Sequence, residues 1–219
     1  MMRSLYNLIP EETALLVIDM QNGYCHLNGS IGSTGADVSQ MNATIPHVKK
    51  LVEECRAAGI LDIWTKQHHY ADDITKEKHR ILPHNRRGKT VPKNLAIKNS
   101  WDSQFVDELK ELAATSEEII IKHRFSAFLD TRLETLLRMK GINTLIVCGV
   151  VTTHCVESTV RDGYQKDYDM IVVNEGVGAF SNEANRASLK LMNQYFGIVI
   201  SQEEALKLIT EKQTLLNYA

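Results

Sequence analysis

Six short apolar runs punctuate this chain, and most are separated by segments with helical spacing. The runs are ALLVID (14–19), ILDIWT (60–65), EEIIIK (117–122), the LIVC of 145–148, DMIVV (169–173) and FGIVI (196–200). Each is continuous rather than alternating, rich in β-branched residues and too short for a buried helix, as strands covered on both faces are. Between them, Met41, Ile45, Val48, Val52 and Cys55 recur in steps of four and three over 38–58, with Gly59 just beyond, which predicts an amphipathic helix. Residues 100–112 read as a second helix, with Ser100 or Asp102 as cap and Phe105, Val106, Leu109 and Leu112 facing inward. Further helices are expected over 130–141, closed by Gly141, over 181–195, and after 201, where Ser201 and Glu204 have capping-box spacing. Strand and helix in alternation imply an α/β fold. We expect a single-domain three-layer sandwich over 1–219, a six-stranded, mainly parallel sheet with helices on both faces and right-handed crossovers. Residues 20–37 are rich in Gly, Ser and Asn and read as a long loop. Residues 66–100 carry no period, many charges and two prolines, Pro83 and Pro92. They read as a loop-rich excursion near the active site, because long loops in compact domains are usually functional.

Composition narrows the function classes. With 219 residues, 43% of them apolar, the chain can bury a core without needing a metal or disulfide. The net charge of −2 and the absence of a basic block argue against nucleic acid and against an anionic membrane as partners. The four cysteines (Cys25, Cys55, Cys148 and Cys155) form no CxxC pair, and no apolar leader or membrane-length run is present. Free thiols in the reducing cytoplasm are the expectation.

In open parallel sheets, ligands gather beyond the carboxyl ends of the strands. There the chain offers Asp19 after the first run, Lys122 at the end of the third, and Cys155 in the turn after the fourth. A cysteine on a strand-to-helix turn, beside a lysine, is placed where a thiolate is favoured, although many lone cysteines merely fill a turn. Asp19 and Lys122 likewise either serve chemistry or simply pair. Gln67 lies just past the second run within reach of a ureido group, and Asn22 and Tyr24 follow Asp19. Trp101 either walls a pocket or packs a helix start. Arg124 either forks onto a substrate carboxylate or makes a surface ion pair. Adjacent His68 and His69 point apart on an extended chain, so they form a poor chelate and read as satisfied surface histidines. We expect no metal and no other cofactor. Arg80, Arg86 and Arg87 read as a solvated basic face, and Glu157 with Arg161 as a helix pair.

Three blocks carry a resemblance. VIDMQN (17–22), IKHRFSAF (121–128) and GVVTTHCVEST (149–159) resemble, in order, the signature blocks of the isochorismatase-like cysteine hydrolase superfamily. The resemblance spans nearly the whole chain. It implies Asp19, Lys122 and Cys155 as the catalytic residues and a cis peptide joining Val150 to Val151. It also implies an oxyanion hole from the backbone N–H groups of Val151 and Cys155. Isochorismatases proper lack the nucleophilic cysteine, so Cys155 points to the amidohydrolases. SWDSQFVDEL (100–109) and CVESTVRDGY (155–164) are most similar to members acting on ureido groups, the ureidoacrylate, biuret and N-carbamoylsarcosine amidohydrolases. His154 before the cysteine and KHRILPHNRR in the excursion depart from that pattern. The function implied is hydrolysis of a C–N bond in a small ureido or carbamoyl compound through a thioester, by a homo-oligomer (dimer or tetramer). One alternative is a nicotinamidase-type amidase, which would carry an Asp-Trp-His-Pro-type metal segment where this chain reads WTKQHHYADD. Another is a redox-sensing cysteine protein, for which Cys148, inside a strand, is a poor resolving partner.

Overall fold

The six apolar runs form one sheet. In the computed structural model, which describes residues 5–72, 75, 92, 94–210 and 214–216, the strands are β1 (Leu5–Asn7), β2 (Thr13–Ile18), β3 (Leu61–Gln67), β4 (Glu118–Lys122), β5 (Thr144–Val150), β6 (Asp169–Gly178), β7 (Ile198–Ile200) and β8 (Thr214–Leu216). The main sheet has the order β4-β3-β2-β5-β6-β7 with every pairing parallel. β2 and β5, the two middle strands, are buried at every position. β1 and β8 form a separate antiparallel ribbon that tethers the two ends of the chain, a pairing with no signal in the sequence.

Alternation along each strand divides the core in two. The helices are α1 (Asn22–Cys25), α2 (Ser39–Ala43), α3 (Ile45–Ala57), α4 (Lys110–Ala114), α5 (Leu133–Lys140), α6 (Glu157–Gln165), α7 (Asn182–Tyr195) and α8 (Gln202–Thr210). Leu15, Val17, Trp64, Ile146 and Cys148 face α3 and α8, through Val48, Leu51, Val52, Leu208 and Ile209. Leu16, Ile18, Ile63, Leu145 and Val147 face α5, α6 and α7, through Leu133, Leu137, Val160, Leu189 and Met192. Helices therefore cover both faces, as expected of a parallel sheet.

Four local expectations change. Residues 38–58 form two helices, broken at Thr44, because Pro46 in the first turn of α3 has no N–H to carry a helix through. Residues 100–112 are not one helix. Ser100 caps a single turn at Trp101–Ser103, the chain then extends at Gln104, and Phe105 bridges to Gln21. Asp102 does not cap. Its carboxylate accepts N–H bonds from Ser30 (2.8 Å) and Ala96 (2.9 Å), so tertiary ties override the local helical period. Phe105, Val106 and Leu109 are buried all the same. The 20–37 loop contains the one-turn α1 and a tight turn at Gly32–Thr34. β6 runs on to Gly178, past a register shift opposite β5 between Val147 and Gly149.

Gly149 has a reason at that crossing. Its φ is 111°, and a Cβ there would lie 2.1 Å from the carbonyl oxygen of Ile18. β2 and β5 approach this closely only because residue 149 has no side chain. Elsewhere, Gly141 ends α5 in the left-handed conformation. The Ser201 box forms as expected, since Glu204 Oε2 accepts from Ser201 N–H and Ser201 Oγ accepts from Glu204 N–H.

Candidate active site

The sheet order reverses between β2 and β5: β3 and β4 extend it one way, β6 and β7 the other. Asp19 leaves the end of β2, and Cys155 lies in the turn that follows β5, so acid and thiol flank the switch point. Lys122 ends β4, two strands away from β2, and its long side chain spans the gap. Its Nζ lies 2.6 Å from Asp19 Oδ2 and 3.3 Å from Cys155 Sγ, and donates to the Arg124 carbonyl at 3.0 Å. An ammonium has three donors, and these three partners account for all of them. Asp19 and Lys122 are fully buried and Cys155 nearly so.

Asp19 is held on its other side too. It adopts φ 48°, its N–H donates to Thr65 Oγ1 at 3.1 Å, and the Thr65 hydroxyl donates to Asp19 Oδ1 at 2.7 Å. The carboxylate therefore presents one oxygen to a fixed hydroxyl and the other to Lys122. Gln21 braces the same edge. Its side chain exchanges hydrogen bonds with the backbone N–H and C=O of Gln67 and donates to the Ser103 carbonyl. Neither Thr65 nor Gln21 stood out in the sequence, though Thr65 is the polar residue at the end of an apolar run and Gln21 sits two after Asp19.

Cys155 lies within a π-helical turn, Thr152–Val156, and α6 begins only at Glu157. The peptide joining Val150 to Val151 is cis, as the resemblance implied. The Val151 carbonyl closes the turn by accepting from the N–H groups of His154 (3.0 Å) and Val156 (3.3 Å). Electrostatics depart from the thiolate expectation. Burial pushes the Cys155 thiol up to about 12; Lys122 pulls it down, but Asp19 pushes it up again. For Lys122, burial opposes the charged form, yet Asp19 and then Cys155 outweigh it and its pKa is raised. The resting site is therefore a Lys122–Asp19 ion pair beside a protonated thiol. The thiol does not rest as a thiolate.

This has a measurable consequence. A thiol titrating near 12 is only about one part in ten thousand thiolate at about pH 8. Alkylation of Cys155 by iodoacetamide in the free protein, followed by mass spectrometry with Cys155→Ala as control, is expected to rise about tenfold per pH unit up to about pH 10 without a plateau. A plateau below about pH 8 would show a pre-formed thiolate instead.

The softer candidates divide. Gln67 and Tyr24 come to the centre: both are buried, the Tyr24 hydroxyl donates to Gln67 Oε1 at 2.8 Å, and that oxygen lies 3.8 Å from Cys155 Sγ. His69 joins them, its Nε2 2.9 Å from Gln67 Nε2. It is buried, so the surface reading of His69 is wrong, because it continues the alternation of Thr65 and Gln67 past the end of β3, where it bridges to Ile97. His68 is partly buried, and burial, followed by Lys66 and Lys98, lowers its pKa to about 4. Asn22 is buried but donates to the Trp101 carbonyl, which ties two loops together. Trp101 is not core: it is 45% exposed and stands edge-on to His26. Among the described residues Arg124 makes no ion pair, and its guanidinium donates to the carbonyls of Thr75 and His123. His154 is partly buried and edge-on to Phe125 and Phe180. Glu157 and Arg161 pair at 2.7 Å, as expected. Arg80, Arg86 and Arg87, with most of the 66–100 excursion, lie outside the described residues. Among the described residues, no three His, Cys, Asp or Glu side chains gather to hold a metal ion, and no helix is long and apolar enough to cross a membrane.

Residues 13–204 match the isochorismatase domain family. Over 222 residues, covering 97% of this chain and 89% of the relative, it is 33% identical to the ureidoacrylate amidohydrolase RutB of Acinetobacter baylyi. It is 36% identical over 200 residues to RutB of an Enterobacter species, covering 87% of this chain and 86% of that one. Among solved structures, a cysteine hydrolase from Pseudomonas syringae pv. phaseolicola superposes with a TM-score of 0.81 at 25% identity, covering 97% of this chain and all of that one. N-carbamoylsarcosine amidase from Thermoplasma acidophilum shares the fold, with a TM-score of 0.68 at 24% identity, covering 88% of this chain and 97% of that one.

Proposed function

The chain belongs to the isochorismatase family, and from this premise we propose that it is a cysteine-dependent amidohydrolase acting on small ureido or carbamoyl compounds. The observation that carries this reading is the single lysine ammonium that bridges a buried carboxylate and a buried thiol. A redox sensor has no use for a general base locked beside its cysteine. An amide hydrolase needs one, because a neutral thiol must lose its proton as it attacks and the departing nitrogen must gain one.

Asp19 takes the proton from Cys155 as Sγ attacks the carbonyl carbon. The backbone N–H groups of Val151 and Cys155 receive the developing oxyanion, each worth roughly 3 kcal/mol in comparable sites. Asp19 passes the proton to the leaving nitrogen, the C–N bond breaks, and an acyl-thioester remains on Sγ (an S-carbamoyl group when the substrate is a urea derivative). Water, deprotonated by Asp19, then attacks this carbonyl, and the proton returns to sulfur. Lys122 stays charged throughout and holds carboxylate and sulfur in register. Likeness over nearly the full chain to two ureidoacrylate amidohydrolases supports the ureido class of substrate.

The test is a screen of the purified protein for ammonia release from ureidoacrylate analogues, biuret, carbamoyl amino acids and nicotinamide. Release from ureido compounds and none from nicotinamide is the expected result. Release from nicotinamide alone would overturn the substrate class.

A further inference from the structure

Gln67 is held by hydrogen bonds at both its backbone and its side chain. Its backbone sits in register with Lys122 across the β3–β4 ladder and is clamped by the Gln21 side chain. Its carboxamide is gripped at both ends. The oxygen accepts from the Tyr24 hydroxyl at 2.8 Å, and the nitrogen lies 2.9 Å from His69 Nε2. With nitrogen directed at His69, the oxygen is the end that faces Cys155 Sγ, at 3.8 Å. A carbonyl oxygen has two lone-pair directions, and Tyr24 occupies one. The other accepts from the Cys155 thiol at 3.8 Å in the resting site, and is freed for an N–H of the substrate when Sγ gives up its proton and attacks.

We propose that Gln67 Oε1 recognises an N–H of the group being cleaved, and that His69 is the positioning residue that keeps this oxygen, rather than the amide nitrogen, turned toward the site. This rests on the amidohydrolase reading and sharpens it. The scissile carbonyl carries a second nitrogen, the NH2 of a carbamoyl group, which donates to Gln67 while Sγ attacks the carbon between the two nitrogens. A simple amide, with methyl in place of NH2, leaves that buried oxygen facing carbon, and a site built around a hydrogen bond discriminates against a partner that lacks it. His69 acts at one remove. Its unprotonated Nε2 accepts from the Gln67 amide, and without that acceptor the carboxamide is free to turn over.

The pair of probes is 3-ureidopropionate and 3-acetamidopropionate, which differ only in NH2 against CH3. The wild-type protein is expected to favour the ureido compound in kcat/KM by tenfold or more. Gln67→Leu should reduce that ratio about tenfold, with Gln67→Met as the second choice if the leucine variant does not fold. His69→Leu should reduce the ratio mainly through KM for the ureido compound, and His69→Gln, which restores an acceptor, should recover most of it. A residue that merely supported the fold would lower both substrates together and leave the ratio unmoved. Equal handling of the two probes by wild type, or a ratio unchanged in both Gln67→Leu and His69→Leu, overturns the inference while leaving the amidohydrolase reading intact. Only a blank across these probes and the whole ammonia screen overturns both.

Discussion

Cys155→Ala is expected to lower ureido hydrolysis by a factor on the order of 10⁴ or more, because without sulfur there is no covalent intermediate and Asp19 has only water to activate. The fold should survive. The substitution removes one weak acceptor from Lys122, which keeps its bonds to Asp19 and the Arg124 carbonyl. The stability cost is then about 1 kcal/mol, or a few degrees in Tm for a chain of this length. Thermal melts and steady-state rates on the two proteins separate these effects. Residual hydrolysis within about a hundredfold of wild type would remove the nucleophile from the account.

The second large effect is in the Asp19–Lys122 pair, where activity and stability are expected to part. Both groups are fully buried and 2.6 Å apart. Removing one partner strands the other's charge in the interior, at roughly 3–5 kcal/mol. Lys122→Met should therefore melt well below wild type and be inactive. Asp19→Asn should also be destabilised, because Lys122 loses its counter-charge, and should lose about 10²–10⁴-fold in rate with the general base. The double variant is the informative one. With both charges gone, nothing is left uncompensated, so Asp19→Asn/Lys122→Met should be more stable than Lys122→Met alone and no more active. Strictly additive losses of stability would mean that the ion pair is not coupled as its geometry implies.

Much of this was legible in the sequence, for identifiable reasons. Strands buried on both faces leave continuous apolar runs, so β2 to β7 could be read directly, and the polar residues that end them, Asp19 and Lys122, had to lie at the carboxyl edge of the sheet. The capping box at Ser201 and the stop at Gly141 depend only on neighbouring residues, and both formed. The failures involve partners distant in the chain. Asp102 was diverted from helix capping to Ser30 and Ala96, which broke the expected 100–112 helix. Thr65 and Gln21 owe their roles to contacts with Asp19 and Gln67 from a neighbouring strand, which spacing along the chain does not encode, whereas His69 lies two residues past Gln67 and its inward side follows from the strand alternation. The state of the thiol failed for a different reason. A lysine beside a cysteine suggests a thiolate, but the depth of burial and the nearby Asp19 prevail over the lysine.

The claim that Cys155 carries the acyl group in turnover has a direct measurement. Wild-type protein is mixed with an excess of 3-ureidopropionate, quenched in acid within the first turnovers, and weighed intact, with Cys155→Ala treated identically. A second species is expected in the wild type, heavier by one S-carbamoyl group, mapped by peptide digestion to Cys155 and absent from the variant. Hydrolysis proceeding in the wild type with no adduct under any quench time, or an adduct that persists in Cys155→Ala, would contradict it.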